Sequence, residues 1–357
     1  MRFKNFILIL ITLLLAGCSA DSLRSEVGEG EFAKLQQMAQ EKIGATGEFQ
    51  TDDFDVTEFL TTWNFNNLPP EERAEFYKET PLSDGTLLRE YKFVIEEKEI
   101  EVAPGLFYPA WSYNGQVPGP TIRATEGDTL KITFVNNGSK PHSVHFHGFH
   151  PAAMDGSAPD QMVLTGETFV YEFKAEPFGT HVYHCHSYPV SQHISKGLYG
   201  SYIVDPRIDT RPVPDKELVM VMNGFDVNFD GANEIYAVNT RAFAYAYEPI
   251  KVKKGELVRI HLSNMLEFDL VNSFHLHANF FDEYPTGTSL EPDNYTDIII
   301  LGQAERSILD MRFREPGMYM FHAHTTEFAE LGWMGMFMVE DLGGNAPVNN
   351  NMTHGEN

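Results

Sequence analysis

The chain has 357 residues, 51 acids against 26 bases, 14 histidines and only two cysteines. That length suits two ordinary domains or one large one, and a 42% apolar content with 27 Phe and 15 Tyr excludes a disordered chain. Two cysteines exclude a disulfide framework or a four-thiolate zinc site, and a net charge of −25 argues against nucleic acid, because no surplus of Lys and Arg neutralises phosphate.

Met1-Arg2-Phe3-Lys4 is basic and the stretch from Phe6 to Ala16 is apolar, which reads as a signal peptide rather than a spanning helix. It ends in Leu15-Ala16-Gly17-Cys18, similar to a bacterial lipobox. That resemblance implies a lipoprotein signal peptide over 1–17, a lipidated Cys18, export, and a chain tethered to the cell envelope in an oxidising compartment. Residues 18–85 read as a polar, lipid-tethered spacer wrapping the first domain, with one short helix after Pro69-Pro70. Residues 343–357, rich in Asn and Gly, read as a mobile tail in which His354 is solvated.

Between these ends the chain reads as β. Leu130–Val135 and Leu257–Leu262 alternate apolar and polar residues, each after a Gly-acid turn at Gly127-Asp128 and Gly255-Glu256. Gly197-Leu198-Tyr199-Gly200 and Gly332-Trp333-Met334-Gly335 recur at a similar offset. A repeat near 130 residues is too long for a solenoid and predicts an all-β chain of two tandem β-sandwich domains, 86–208 and 209–342, joined through a proline-rich segment at 206–214. Met311, Met318, Met320, Met334, Met336 and Met338 read as core filler in the second domain.

Four His-x-His pairs fall at two equivalent places per domain: His145/His147, His184/His186, His275/His277 and His322/His324. In a strand, residues two apart share a face, so both imidazoles of a pair project together. A lone strand histidine is ordinarily structural, as His261 is expected to be, but eight in duplicated pairs form a metal-binding set suited to Cu, Zn, Fe or Ni. Cys185 lies between His184 and His186 and points to the opposite face, where His142 and His193 can join it. Two His and one Cys with a weak or absent axial ligand are the makings of a blue-copper electron-transfer site, the plainer alternative being a buried free thiol.

Pro141-His142-Ser143-Val144-His145-Phe146-His147-Gly148 and His184-Cys185-His186, with His193 and Leu198 following, resemble multicopper oxidase motifs. More narrowly they resemble two-domain, laccase-like oxidases with the type 1 (blue) copper in domain one, which are related to copper nitrite reductases. The resemblance spans roughly 86–342 and implies cupredoxin-like Greek-key domains. It implies type 1 ligation by His142, Cys185 and His193 with Leu198 in the axial slot. It also implies a trinuclear cluster on His145, His147, His184, His186, His275, His277, His322 and His324, making four coppers per chain. Ala323 and Trp333 stand where Cys185 and Leu198 would recur, so domain two is expected to lack a blue site.

The same resemblance implies oxidation of a phenol, aromatic amine or reduced metal ion, dioxygen as acceptor, and a homotrimer with clusters between subunits. Nitrite reductases normally carry Asp where this chain has His145, which sets nitrite reduction second, ahead of a non-catalytic copper-binding lipoprotein. Asp155, in a segment similar to the Asp-Gly stretch after the first His pair of laccases, is a candidate proton relay as well as a turn former. His150 and His181, close to the ligands in sequence but spare, either hydrogen-bond the ligand set or are plain strand residues, the latter being favoured.

Overall fold

The computed structural model describes residues 70–341, together with 37, 40–42, 44–45 and 49–50. The first domain opens with helix α1 (Pro70–Phe76) and runs through β1 (Tyr77–Pro81), β2 (Leu87–Ala103), β3 (Leu106–Tyr113), β4 (Gly119–Thr125), β5 (Thr129–Val135), β6 (His145–Phe146), β7 (Thr168–Lys174), β8 (Gly179–His184), α2 (Val190–Ser195) and β9 (Tyr199–Asp205). One sheet has the order β1-β2-β5-β7 with β3 also on β2, and the facing sheet runs β4-β9-β8-β6. In β5, Leu130, Ile132 and Phe134 are buried while the residues between them are not, as the alternation predicts. They meet Phe93, Tyr171, Phe146 and Tyr183 in the core between the sheets.

The second domain comprises β10 (Lys216–Phe225), β11 (Ile235–Val238), α3 (Ala244–Tyr247), β12 (Ile250–Lys253), β13 (Leu257–Asn264), β14 (Val271–Leu276), β15 (Phe281–Pro285), β16 (Asn294–Thr296), β17 (Ile298–Gly302), β18 (Arg306–Arg312), β19 (Gly317–His322), α4 (Thr326–Glu330) and β20 (Met334–Glu340). Its sheets are β11-β10-β13-β18-β15-β16 and β12-β20-β19-β14-β17. The chain is thus all-β, two cupredoxin-like sandwiches with a few short helices.

Three sequence expectations need correction. The first sheet starts before residue 86, because β1 pairs in register with β2 from Tyr77↔Tyr91 to Pro81↔Leu87. The segment before it reaches both domains, since the Gln50 amide donates to Glu101 and the Arg241 guanidinium lies over Phe49. The methionines are not all core filler. Met311 and Met320 are buried, but Met318, Met334, Met336 and Met338 are half-buried on the face of β19 and β20 that also carries His322. The expected signal peptide, Cys18 and the tail with His354 lie outside the described residues; within the described residues, no helix is long and apolar enough to cross a membrane.

The two sandwiches share an apolar seam, in which Val102, Tyr108 and Val117 meet Val221, Phe225 and Phe243. Beside it lies a polar hub. Arg123 pairs with Asp205 at 2.7 Å and reaches across to Glu217 at 2.6 Å, and His261 meets Glu217 at 2.8 Å and the Thr180 hydroxyl at 2.6 Å. Burial alone would raise the Glu217 pKa, yet His261 and Arg123 hold it well below the carboxylate range. Thr180, on β8, also donates its amide to the Thr286 carbonyl at 2.8 Å and accepts from Arg306 at 3.1 Å. β8 is therefore aligned by the second domain. Glu217→Ala leaves Arg123 and His261 short of a partner and is expected to cost about 2–3 kcal/mol in denaturant unfolding; an unchanged midpoint would remove the hub from the stability of the fold.

Candidate metal centre

The chemistry of the molecule gathers where β8 ends. His145 and His184 pair across β6 and β8, while Phe146 and Tyr183, the next pair, point into the core. The opposite face carries four imidazoles: the His145 ring lies 5.3 Å from His147, 5.2 Å from His184 and 5.3 Å from His186. Nε2 of His147 and Nε2 of His184 approach to 3.2 Å. Domain two repeats this arrangement. His275 pairs with His322 across β14 and β19, His324 lies 5.4 Å from His275, and Nε2 of His277 is 2.9 Å from Nε2 of His322.

Second contacts repeat as well. His145 Nδ1 donates to the Asp155 carbonyl at 2.8 Å, and His275 Nδ1 donates to the Asp297 carbonyl at 2.9 Å. The carboxylates of the same two acids lie 3.3 and 3.9 Å from those nitrogens. His184 and His322 each bond the carbonyl of the next residue through Nδ1. The amides of His186 and His324 bond Ser143 and Ser273 hydroxyls. With Nδ1 so engaged in these rings, Nε2 is left as the metal-facing lone pair. Asp297 is a site residue that sequence reading missed: it follows His277 by twenty residues where Asp155 follows His147 by eight, and the unequal loops hide the equivalence.

Behind the first histidine face, Cys185 turns the other way. Its Sγ lies 3.2 Å from His193 Nδ1 and 3.8 Å from His142 Nδ1, and those two nitrogens are 3.1 Å apart. Three donors at such spacing fit around one ion at ligand distances of about 2.0–2.3 Å. His142 and Cys185 are fully buried, and the Ser143 amide points at the sulfur from 3.4 Å. Leu198 is buried in the same cluster, and its carbonyl accepts from the Cys185 amide at 2.9 Å. In domain two the corresponding amide, that of Ala323, bonds the Trp333 carbonyl at 3.2 Å, and the fully buried indole packs on Phe274 and Phe321. Side-chain volume fills the space that a second blue site would need. Glu327 lies on α4, and no cluster of potential ligands forms there among the described residues.

The spare histidines divide differently from expectation. His150 is not on a strand: its Nε2 is 2.8 Å from the Phe146 carbonyl and 3.7 Å from Asp155, beside His145. His181 does lie on β8, bonded to the Pro177 carbonyl and 3.5 Å from Arg306 of domain two. For Asp155, burial opposes ionisation, but the Ser157 hydroxyl and the neighbouring His145, His150 and His186 hold its carboxyl below its ordinary range.

Two imidazoles and a thiol brought within reach of one ion, on a cupredoxin-like sandwich, are the donor set of a copper oxidoreductase. Family profiles described as multicopper oxidase match residues 94–209 and 211–343, and the chain belongs to that family. A solved multicopper oxidase is 50% identical, with a TM-score of 0.75, covering 80% of this chain and 97% of its own. The copper-containing nitrite reductase of Neisseria meningitidis serogroup A is 32% identical over 68% of this chain and 67% of its own length. The solved copper nitrite reductase of Nitrosomonas europaea is 28% identical with a TM-score of 0.65, covering 71% of this chain and 94% of its own.

Burial, reinforced by neighbouring charge except at His193, pushes His142 and His147 down to a pKa of about 3 and His184, His193 and His277 to about 4. All lie below the ordinary value of about 6.5, so the unfolded chain binds more protons between the two. Stability from these neutral rings is full above about 6.5 and is lost as pH falls toward the folded values. The metal-free protein should therefore melt at steadily lower temperature as pH is taken from 7 to about 4.5. Substituting His142 and His147 by Phe should flatten that slope; identical slopes would place the acid sensitivity elsewhere.

Proposed function

We propose that the protein takes single electrons from a reduced substrate at a copper held by His142, Cys185 and His193, and uses four of them to reduce one dioxygen to two waters at a three-copper cluster. The completeness of the histidine set carries this reading: eight imidazoles in two pseudo-symmetric faces, with Cys185 bonded in sequence between His184 and His186. Copper, when bound, would supply one-electron exchange at the first site and oxygen binding at the second, four ions per chain in all.

Among the described residues, no ring contact or shared ligand group joins the four histidines of domain one to the four of domain two. A shared cluster therefore calls for domain one of one copy against domain two of the next. Head-to-tail contact of that kind closes into a ring or grows as a filament, and a homotrimer is the closed form proposed here. Exposed Phe149, Leu270, Phe280 and Ile300, within a few residues of His147, His275, His277 and the β14–β17 pairing, support burial of this surface between copies. A lipid anchor on Cys18 would hold the assembly at the cell envelope.

Within this scheme the chain does three things. Buried neutral imidazoles present lone pairs without first losing protons. Burial pushes the Cys185 thiol up to about 11, so the thiolate persists only against a cation. Asp155 and Asp297, each beside the leading histidine of its face, would act as carboxylates that take protons from solvent and pass them on, four being consumed as two waters form. The donor would be a phenol, an aromatic amine or a reduced metal ion.

Similarity to the Neisseria nitrite reductase supports a second reading, in which nitrite takes one electron and two protons to give nitric oxide and water. Copper counting with parallel assays separates the two. Four coppers per chain with oxygen uptake on a phenol, Fe(II) or Cu(I) is the expected result, while two coppers with nitrite turnover would favour the second. Asp155→Asn and Asp297→Asn should each slow oxygen turnover by roughly 10²-fold, as loss of a proton donor does, while leaving the blue absorption band in place. Full turnover in either variant would remove that acid from proton delivery.

A further inference from the structure

His142, Cys185 and His193 are 0, 0 and 2% exposed, so all but a sliver of His193 is closed off from solvent. Among the described residues, the ring that lies over both imidazoles is Trp111 on β3, itself partly exposed. Its centroid lies 5.4 Å from His142 and 4.9 Å from His193, at interplanar angles of 78° and 67°. The two imidazoles are 4.9 Å apart, which makes the three rings one cluster with the indole as its outward member.

This placement is built into the backbone. Tyr108 and Ala110 on β3 face the seam between the domains, while Trp111 shares the other face with buried Tyr113 and exposed Phe107 and Pro109, and so sits where that face passes from the first-domain core to the surface. Its amide donates to the Lys196 carbonyl at 2.9 Å, which ties β3 to the end of α2 just past His193. Gly197, at φ +112°, lets that turn come so close that a Cβ there would meet the Trp111 carbonyl at 2.9 Å.

We propose that Trp111 is the specificity-determining cover of the His142–Cys185–His193 site: the surface on which an electron donor is received, and the barrier that keeps exogenous ligands off the site. The proposal rests on reading the triad as a copper site. A donor that meets an indole instead of a metal or an imidazole edge must pass its electron without coordinating. Planar aromatic donors suit this surface because they can stack on the indole. Each donor molecule loses one electron, the copper ion gains it, no atom is transferred and the indole is unchanged.

The test compares the full-length protein with Trp111→Phe and Trp111→Ala. Stepwise copper loading of the metal-free protein should quench a component of tryptophan fluorescence that is missing from Trp111→Phe at equal copper uptake. Added imidazole, followed by the shift of the blue band, should bind Trp111→Ala at least about tenfold more tightly than wild type, with Trp111→Phe close to wild type. Anaerobic bleaching of the band should lose its preference for aromatic over small inorganic donors in Trp111→Ala alone. Wild-type imidazole affinity and donor preference in Trp111→Ala would overturn the proposal; if that variant holds no copper, Trp111→Leu decides by the same titration. A wild-type protein without a blue band would remove the copper reading and this proposal together, whereas a normal band with unaltered variants removes this proposal alone.

Discussion

The side-chain alternation at the end of β8 is the constraint on which the rest of the molecule depends. An extended backbone sends His184 and His186 to one side of the sheet and Cys185 to the other. One tripeptide can therefore face two sites at once: a four-histidine face on the surface of the sandwich and a buried His-Cys-His triad within it. Any slip of register by one residue would exchange the two faces and put the thiol among the surface imidazoles. The pairing of His145 with His184 and the bond from the Cys185 amide to the Leu198 carbonyl hold that register from both sides.

Much of the surrounding structure serves to keep this strand in place. The first domain supplies Tyr183 and Phe146 as its apolar backing, and the second supplies Thr286, Arg306 and His261 as hydrogen-bond partners for Thr180. The half-buried ionic hub through Arg123 and Glu217 then has a purpose beyond adhesion. A polar junction with directional partners specifies one docking geometry, which an apolar seam alone does less well. The same duplication that built two histidine faces has been undone at the second triad, where Ala323 and the Trp333 indole occupy the volume of a ligand set.

Several features were legible in the linear chain because they are local. The four His-x-His pairs, the cysteine between two of them and the alternation of Leu130–Val135 each follow from a period of two. Asp155 was within reach because its Asp-Gly stretch follows the first pair closely. Asp297 was not, because it meets His275 only after the chain has turned back through β15 and β16. Reading every methionine of β19 and β20 as filler went too far for a related reason, although Met320 is buried and Met334 packs on the seam. Alternation shows that Met318, Met334, Met336 and Met338 share a face, but only the sheet pairing decides that this face is the one carrying His322.

By itself, then, the sequence determined the donor types, their pairing along strands and the family to which those motifs belong, since these depend on covalent spacing and strand period. The tertiary structure alone decided which donors converge: His142, forty-three residues before Cys185, lies 3.8 Å from its sulfur because the segment leading into β6 packs beside the end of β8. It also decided that few histidines are spare, placing His150 beside Asp155 and His261 between Thr180 and Glu217. The count of two cysteines, which at first excluded only disulfides, leaves a single described thiol, and packing rather than composition puts it at the junction of two sites. Trp111 shows the same division, a strand residue without a motif in the sequence and, among the described residues, the ring that stands over both imidazoles of the triad. Convergence of this kind is set by long-range packing and loop closure, which a local pattern does not encode.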